Sequence, residues 1–189
     1  MKHILDNSSR LIKTFNSITI FEKGKQMGFG MPYNPETTDI YNLSNISSEE
    51  IPKLPQSLAS WLREQDQESL KKWNVTTFPI EDSQVYSRLA LGHYFHAQFD
   101  VIIKKLKAEG FRVNALVNCT VTDILLEIKS NTGKVVANNG DYKCSKIVIA
   151  TGHNFLNTDQ PVTVIMEPRG LLKKFYLVNR NSIILRLAF

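Results

Sequence analysis

The segment SITIF, residues Ser17–Phe21, decides the fold class of this chain together with the glutamate that follows it. Its β-branched and aromatic residues alternate in the pattern of a β-strand. Residues Lys2–Lys13, which come before it, place apolar side chains near one face of a predicted helix. A helix that leads into a strand through a short connection is the second half of a βαβ unit. We therefore expect the opening strand of that unit to be missing.

The middle of the chain is predicted to be helical and loop-rich. Residues Gly24–Tyr33 contain three glycines and a proline, which predicts a loop whose backbone closely approaches a neighbouring group. Residues Pro35–Pro55 are polar and turn-rich. Apolar spacing predicts helices over Leu58–Lys72 and Tyr86–Glu109, and Gly110 supplies a stop for the second helix.

Five strands are predicted after the long helix. The first covers Phe111–Val117. Asn/Gly turns separate Val121–Ile128, Lys134–Asn138 and Asp141–Cys144, which indicates an antiparallel meander. Lys146–Ala150, with the sequence KIVIA, is a short continuous apolar run, the pattern of a central parallel strand that is covered on both faces.

The pattern weakens after Gly152. Residues Val162–Met166 and Ser182–Ala188 are strand-like, and Gly170–Leu177 is compatible with a helix or a strand. The chain stops at Phe189, directly after an apolar run. We expect this tail to reflect a truncation or an altered reading frame.

Composition limits the function classes. The 189 residues carry a net charge of +5, but the lysines are scattered and no long basic run is interleaved with aromatic residues, so nucleic-acid binding is disfavoured. No apolar stretch approaches the length of about 20 residues needed to span a bilayer, so no membrane partner is expected. Cys119 and Cys144 have no metal-ligand spacing, which fits a reducing, cytoplasmic setting. The oligomeric state stays open.

Glu22 is the most informative residue. In a dinucleotide-binding fold, an acid at the tip of the second strand accepts hydrogen bonds from the adenosine ribose, because a carboxylate offers strong acceptors to the sugar diol. Taken alone, a solvent-facing acid paired with Lys23 is the favoured alternative. Ala150-Thr151-Gly152 follows a strand, and its glycine either lets backbone approach a cofactor or simply ends the strand.

Other chemistries find little support in the sequence. His93 and His96 lie three residues apart on the predicted long helix, but no third ligand is evident, so a structural role is favoured and no metal site is predicted. No serine lies in a GxSxG elbow, and no glycine-rich Walker loop is present. No catalytic residue can be assigned.

The order of these features resembles the FAD-NAD(P)-binding family of bacterial flavoproteins, over about residues 1–153. The resemblance is carried by ITIFEKGKQMGFGMPY (Ile18–Tyr33), YNLSN (Tyr41–Asn45), SRLALGHYF (Ser87–Phe95), VNCTVTDI (Val117–Ile124) and IVIATGH (Ile147–His153). It implies an α/β fold: a partial Rossmann-like FAD/NAD(P)-binding domain with an antiparallel β-meander and a helical insert. Residues 154–189 would form a tail of uncertain relation to that domain.

The resemblance also implies roles for residues near the first strand. Glu22 would bind the adenosine ribose of FAD, and Lys23 would lie beside it. Gly28 and Gly30 match the pair of glycines that family members place after this strand.

Further along the chain, Arg88 and Gly92 match a segment that opens the long helix near the cofactor. Val121 lies where relatives use backbone groups to hold the adenine. Thr151 and Gly152 would approach the pyrophosphate or the flavin.

One departure from the family pattern is serious. Such proteins open with a strand and a GxGxxG turn that places a helix N-terminus against the pyrophosphate, and the sequence contains no GxGxxG. Loss of that central strand would leave two strands without their shared neighbour and expose their edges. We therefore expect weak or absent FAD binding, and marginal stability unless another chain completes the sheet.

Three hypotheses follow. The chain is the dinucleotide-binding portion of an oxidoreductase in which FAD carries the redox chemistry and NADH or NADPH delivers hydride. Alternatively, it is a non-catalytic interaction module on the same fold, or a non-functional fragment.

Overall fold

The protein is a mixed α/β chain with three small sheets, seen in a computed structural model that describes residues 1–127, 132–150 and the backbone of 181–187. The helices are α1 (Lys2–Asp6), α2 (Ser8–Leu11), α3 (Leu58–Arg63), α4 (Gln67–Lys72) and α5 (Arg88–Ala108), with a 3₁₀ turn at Met31–Tyr33. The strands are β1 (Phe15–Phe21), β2 (Leu43–Ser47), β3 (Val85–Ser87), β4 (Arg112–Leu116), β5 (Val121–Glu127), β6 (Thr132–Ala137), β7 (Gly140–Cys144), β8 (Lys146–Ala150) and β9 (Asn181–Leu187).

The largest sheet has four parallel strands in the order β4-β1-β9-β8. Strand β9 therefore fills the place between β1 and β8. The Ile184 backbone pairs with Thr19 on one side and Ile147 on the other. The expectation that two strands lack a shared neighbour is wrong for this sheet. Strand β9, which lies in the tail of residues 154–189, pairs with both β1 and β8. The carboxyl ends of all four strands lie at one edge of the sheet.

Helix α5 is the main support of this sheet. Its apolar face packs on β1 and β4 around Ile18, Ile20 and Leu106, all of which are fully buried. Ser87 caps its N-terminus by accepting a hydrogen bond from the Ala90 N–H, so the helix begins two residues later than predicted. Its end before Gly110, which has a φ of 90°, confirms the predicted stop.

Two helices that were predicted as continuous are each divided. The first is interrupted at Asn7. The second ends at Arg63 and restarts at Gln67, because the Asp66 side chain accepts a hydrogen bond from the Ser69 N–H and caps a new helix. The polar segment before them contains β2, which pairs with β3 in a two-stranded antiparallel sheet.

Strands β5, β6 and β7 form a separate antiparallel sheet. It packs on the end of β1 through Phe21, whose ring meets the Tyr142 ring edge-on at 4.9 Å between centroids. Cys119 and Val135 complete this buried cluster. The contact fixes the small sheet beside the residue that follows Phe21, which is Glu22.

The predictions for Val162–Met166 and Gly170–Leu177 lie outside the described residues. Ser182–Ala188 was predicted as a strand, and β9 covers Asn181–Leu187.

Candidate functional site

Glu22 leaves β1 at the carboxyl edge of the parallel sheet. Its backbone N–H donates to the Leu116 carbonyl at 2.9 Å, and its own carbonyl accepts from the Cys119 N–H at 2.9 Å. The Asn118 N–H donates to the Gly24 carbonyl at the same distance. These three bonds join the segment after β1 to the segment after β4, so the Glu22 backbone is held on a rigid edge.

The Glu22 carboxylate is half-buried and bound by its own turn. Its Oε1 accepts a hydrogen bond from the Gly24 N–H at 2.7 Å. Burial raises the pKa of this carboxyl above its usual range, although the Gly24 bond and the nearby Lys23 charge act in the opposite direction. A carboxylate has about four lone-pair sites, so one backbone donor leaves capacity for a bound hydroxyl pair.

A polar pocket of about 220 Å³ opens beside this carboxylate. It brings together three of the residues singled out in the sequence: Glu22, Lys23 and Gly30. Lys23 is exposed. The other residues of the polar pocket are Gly24, Gln26, Phe29, Met31, Asn34, Glu36 and Thr37. A neighbouring Lys25–Glu36 ion pair of 3.1 Å lies on the exposed surface, so it adds little stability.

The loop after Glu22, called here the glycine loop (residues 24–33), separates the polar pocket from helix α5. Gly28 has a φ of 84°, and a Cβ there would lie 3.0 Å from the His96 Cα and 3.0 Å from the Phe99 Cβ. His96 Nδ1 lies 2.7 Å from the Met27 carbonyl oxygen, and it must be the donor because a carbonyl only accepts. Gly28 therefore lets the loop lie directly on α5.

A second space, called here the apolar cavity, lies on the other side of the glycine loop and measures about 370 Å³. Gly28 and Gly30 both line it, and Gly30 lines the polar pocket as well. Its walls include four aromatic rings from the loop and from α5, together with Met1 and Leu54. Phe29 stands between the two spaces and stacks on the His96 ring at 5.0 Å.

The remaining site residues of the sequence analysis lie elsewhere. The Arg88 Nε donates to the Leu43 carbonyl at 3.1 Å, which ties the start of α5 to β2 and places Arg88 outside both spaces. Val121 is buried with Phe21 at the start of β5. Thr151 and Gly152 lie outside the described residues, although β8, which they follow, ends at the same sheet edge as β1.

One residue of the apolar cavity was not foreseen. Gln98 is 2% exposed within α5, and its Oε1 accepts from the Gln56 N–H at 3.1 Å. The available signal was a glutamine at helical spacing from the apolar residues Tyr94 and Ile102 on the best predicted helix. The burial of the Gln98 amide depends on its hydrogen bond with Gln56, which is distant in sequence. Helical spacing alone could not show this partner.

The residues present fit part of a dinucleotide. An acid at the end of a parallel strand suits the sugar diol of an adenosine group. The backbone cradle for a pyrophosphate, a glycine-rich turn that opens a helix, is not represented in the sequence. The polar pocket is also smaller than the roughly 300–1,000 Å³ of sites that enclose whole drug-sized ligands, so it suits only the sugar portion.

Comparison with known proteins places this chain in a family. A model of the FAD-NAD(P)-binding family matches residues 1–154. The chain therefore belongs to the FAD-NAD(P)-binding family. It is also 35% identical over 140 residues to the uncharacterized protein YdhS of Escherichia coli (strain K12). That match covers 72% of this chain and 26% of the relative, so the chain spans about a quarter of the relative's length.

The described residues contain neither a membrane-spanning helix nor a metal cluster. No helix there has both the length and the apolar character to cross a bilayer. The same part of the chain contains no group of three or more His, Cys, Asp or Glu side chains arranged to hold a metal ion.

Proposed function

We propose that this chain is the dinucleotide-binding portion of an FAD/NAD(P)-dependent oxidoreductase. In this proposal β1, β4 and β8 belong to a partial Rossmann-like domain within residues 1–153, β5–β7 are its meander, and the segment between the glycine loop and α5 is its helical insert. The observation that carries the proposal is the Glu22 carboxylate, which lies at the carboxyl end of β1 and opens into the polar pocket beside the glycine loop.

The proposed contacts with the cofactor involve Glu22, Lys23 and Gly30. Glu22 would accept hydrogen bonds from the adenosine ribose of FAD, and Lys23 would attract the adjoining phosphate. Gly30 would let the cofactor pass close to backbone. Bound FAD would supply the redox chemistry, with NADH or NADPH as the hydride source.

Val121 and Arg88 would act at a distance from the polar pocket. Val121 packs against Phe21, so it would support the adenine side through the position of the β5 backbone. Arg88 would fix β2 relative to α5 through Leu43. Thr151 and Gly152 remain proposed cofactor neighbours because they follow β8 at the shared sheet edge.

We further propose that cofactor binding is weak in this chain. A helix N-terminus with free N–H groups normally contributes strongly to pyrophosphate binding, and the sequence has no GxGxxG turn to present one. The alternative is a non-catalytic interaction module or a non-functional fragment on this fold. The same lack of a GxGxxG turn favours it.

The test is an equilibrium titration of the purified chain with FAD, in which binding is monitored by flavin fluorescence. Retained flavin is then measured by absorbance at about 450 nm after desalting. We expect saturable quenching that weakens about tenfold in Glu22→Ala, the cost of about one charge-assisted hydrogen bond. FMN, which has no adenosine half, should bind more weakly than FAD. A bound complex that NADH or NADPH bleaches would support the oxidoreductase.

A chain that stays colourless and does not quench FAD would contradict the cofactor proposal. A thermal melt then separates the alternatives, since an interaction module should unfold cooperatively and an unstable fragment should not. Thr122→Ala, an exposed change on β5, is the matched control for Glu22→Ala.

A further inference from the structure

Three large apolar side chains are exposed on one short stretch of the chain, called here the Tyr41 segment (residues 39–43). Tyr41 is 76% exposed, Leu43 is 58% exposed and Ile40 is 42% exposed. Single exposed apolar residues are ordinary on a protein surface, but a group of them on one segment marks an interaction surface. The Tyr41 segment is therefore a candidate contact for another macromolecule.

Hydrogen bonds fix the backbone of the Tyr41 segment. The Asp39 Oδ1 accepts from the Tyr41 N–H at 2.8 Å, and the Asn74 Nδ2 donates to the Ile40 carbonyl at 3.0 Å. The first N–H of α5 donates to the Asn42 carbonyl at 2.8 Å. The exposed side chains thus project from a rigid segment at the start of α5, so little conformational entropy is lost when a partner covers them.

The Tyr41 segment lies in an acidic stretch of the chain. Residues 34–50 contain four Asp and Glu and no Lys or Arg. Glu36 is paired with Lys25, whereas Asp39 forms no ion pair within the part of the chain that the structure describes. A partner that fits this surface should offer both apolar contact area and positive charge.

The chain itself contains a surface of that chemistry. An open pocket of about 550 Å³, called here the lysine pocket, lies between α1, the end of α5 and the segment before α3. Three lysines and two acids line it, together with four apolar residues: Leu5, Leu54, Pro55 and Ala108.

The charged side chains of the lysine pocket leave an excess of positive charge. Lys2 is paired with Asp6, so these two charges offset each other. Lys53 and Lys105 are exposed, and neither has an ion pair with any described residue. The one further acid of the lining is Glu109. A carboxylate beside an apolar side chain complements this pocket.

The Tyr41 segment and the lysine pocket lie at opposite ends of α5. The segment is bonded to Arg88, the first residue of this helix, and Lys105 is in its last turn. At about 1.5 Å per residue, the two surfaces are roughly 25 Å apart along the helix, so one chain cannot join them itself. In a two-fold pair with antiparallel α5 helices, each segment meets the pocket of the other copy, and both contacts close within two chains.

We propose that this chain forms a two-fold dimer in which Tyr41 of each copy enters the lysine pocket of the other, and Asp39 pairs with Lys53 or Lys105 there. An aromatic ring suits an apolar wall beside ammonium groups, because cations are attracted to the face of the ring. The inference goes beyond the cofactor proposal and does not depend on it, since neither surface contains a proposed cofactor contact.

The experiment is analytical ultracentrifugation of the full chain at concentrations up to about 200 μM, which detects even a weak dimer. We expect a dimer dissociation constant that rises about tenfold between about 50 and 500 mM sodium chloride, because salt screens the Asp39 contacts. Tyr41→Ser should weaken the dimer about a hundredfold, since each dimer contains the contact twice and an anchoring tyrosine is worth about tenfold. Leu126→Ser, which removes an exposed apolar side chain from β5, is the matched control and should leave the constant unchanged.

Charge exchange tests which two surfaces meet. Asp39→Lys and the double variant Lys53→Glu/Lys105→Glu should each be monomeric, because each places like charges in both contacts of the dimer. An equal mixture of the two variants should form a heterodimer, because every contact in it again joins opposite charges. Ala108→Trp covers the case in which a charge variant does not fold, since it fills the lysine pocket without a change of charge and should also weaken the dimer.

Four results would overturn the inference. The first three are a chain that stays monomeric at about 200 μM, a dimer that Tyr41→Ser does not weaken, and a mixture of charge variants that stays monomeric. The fourth is an assembly that grows beyond two copies, because a contact that does not close on itself builds open filaments instead of a dimer.

Discussion

A Cβ atom on Gly92 would lie 2.2 Å from the Tyr33 carbonyl oxygen. The 3₁₀ turn at the end of the glycine loop therefore rests directly on the backbone of α5. Real Cβ atoms do not approach this closely, and a backbone oxygen cannot move away as a flexible side chain can. Gly92 thus fixes the height of the glycine loop above the helix.

Gly92→Ala should destabilise the protein by about 2 kcal/mol, the usual cost of forcing extra atoms into a packed contact. Helix propensity alone would give the opposite sign, a gain of about 1 kcal/mol. Urea unfolding followed by circular dichroism measures the difference. Gly110→Ala is the control, because its φ of 90° adds strain while its Cβ would meet only Ile12 at 4.0 Å. A stabilised Gly92→Ala would show that this contact is absent in solution.

Glu22→Gln should stabilise the free protein at neutral pH, and the gain should shrink as the pH falls. Burial raises the folded pKa of Glu22, so the folded state binds a proton more readily than the unfolded state. The stability contribution of this group is therefore lost as pH rises through its folded pKa. Glutamine keeps an oxygen for the Gly24 N–H. Urea midpoints at several pH values between about 4 and 7 test this, and a difference independent of pH would contradict it.

Ile184→Pro should unfold the large sheet. Residue 184 pairs with β1 and with β8, so a proline there removes a backbone donor from the middle of the sheet. The expected loss is about 3 kcal/mol, from an unsatisfied neighbour and a distorted ladder. Thermal melts measure it, with Ile184→Val as the control. A proline variant that melts like the parent would show that β9 does not lie between β1 and β8.

Both cysteine thiols should resist modification in the folded protein. Burial raises the pKa of Cys144 to about 11, and it also raises the pKa of Cys119. The reactive form of cysteine is the thiolate, and a thiol with a raised pKa is almost entirely protonated at about pH 8. A disulfide-exchange reagent should react slowly with the native chain and with both thiols after unfolding in guanidinium. Rapid labelling of the native chain would contradict the described burial.

Local patterns predicted the elements whose stability is local. Helix α5 has many apolar residues at helical spacing and a glycine at its end, and strand β8 is a compact apolar run. The prediction that β8 is a central strand covered on both faces is wrong, because β8 lies at the edge of the described sheet and its Val148 and Ile149 side chains are exposed. Apolar spacing predicted two continuous helices, but the structure divides them at Asn7 and before Asp66. Spacing does not show such breaks, because helix caps depend on single hydrogen bonds. Strand β2 was missed because its short pairing with β3 comes from a distant segment.

The candidate site was predictable to the same extent. Glu22, Lys23 and Gly30 are close in sequence, and the structure places them around one pocket. Arg88 and Val121 lie far from that loop along the chain, and tertiary packing directs them to other partners. No local pattern could show that β9 would occupy the middle of the sheet, since strand pairing is a long-range choice.

The position of β9 also sets the order in which this sheet can form. β1 and β8 both precede β9 in sequence, yet their shared partner is residues 181–187. During synthesis the facing edges of β1 and β8 would stay unpaired until that segment leaves the ribosome. Unpaired strand edges promote aggregation. Contacts as distant as Ile18 with Ile183 also close slowly. We therefore expect α5 and the β5–β7 sheet to be in place before the central sheet closes, which makes the yield of native protein depend on chaperones and on growth temperature.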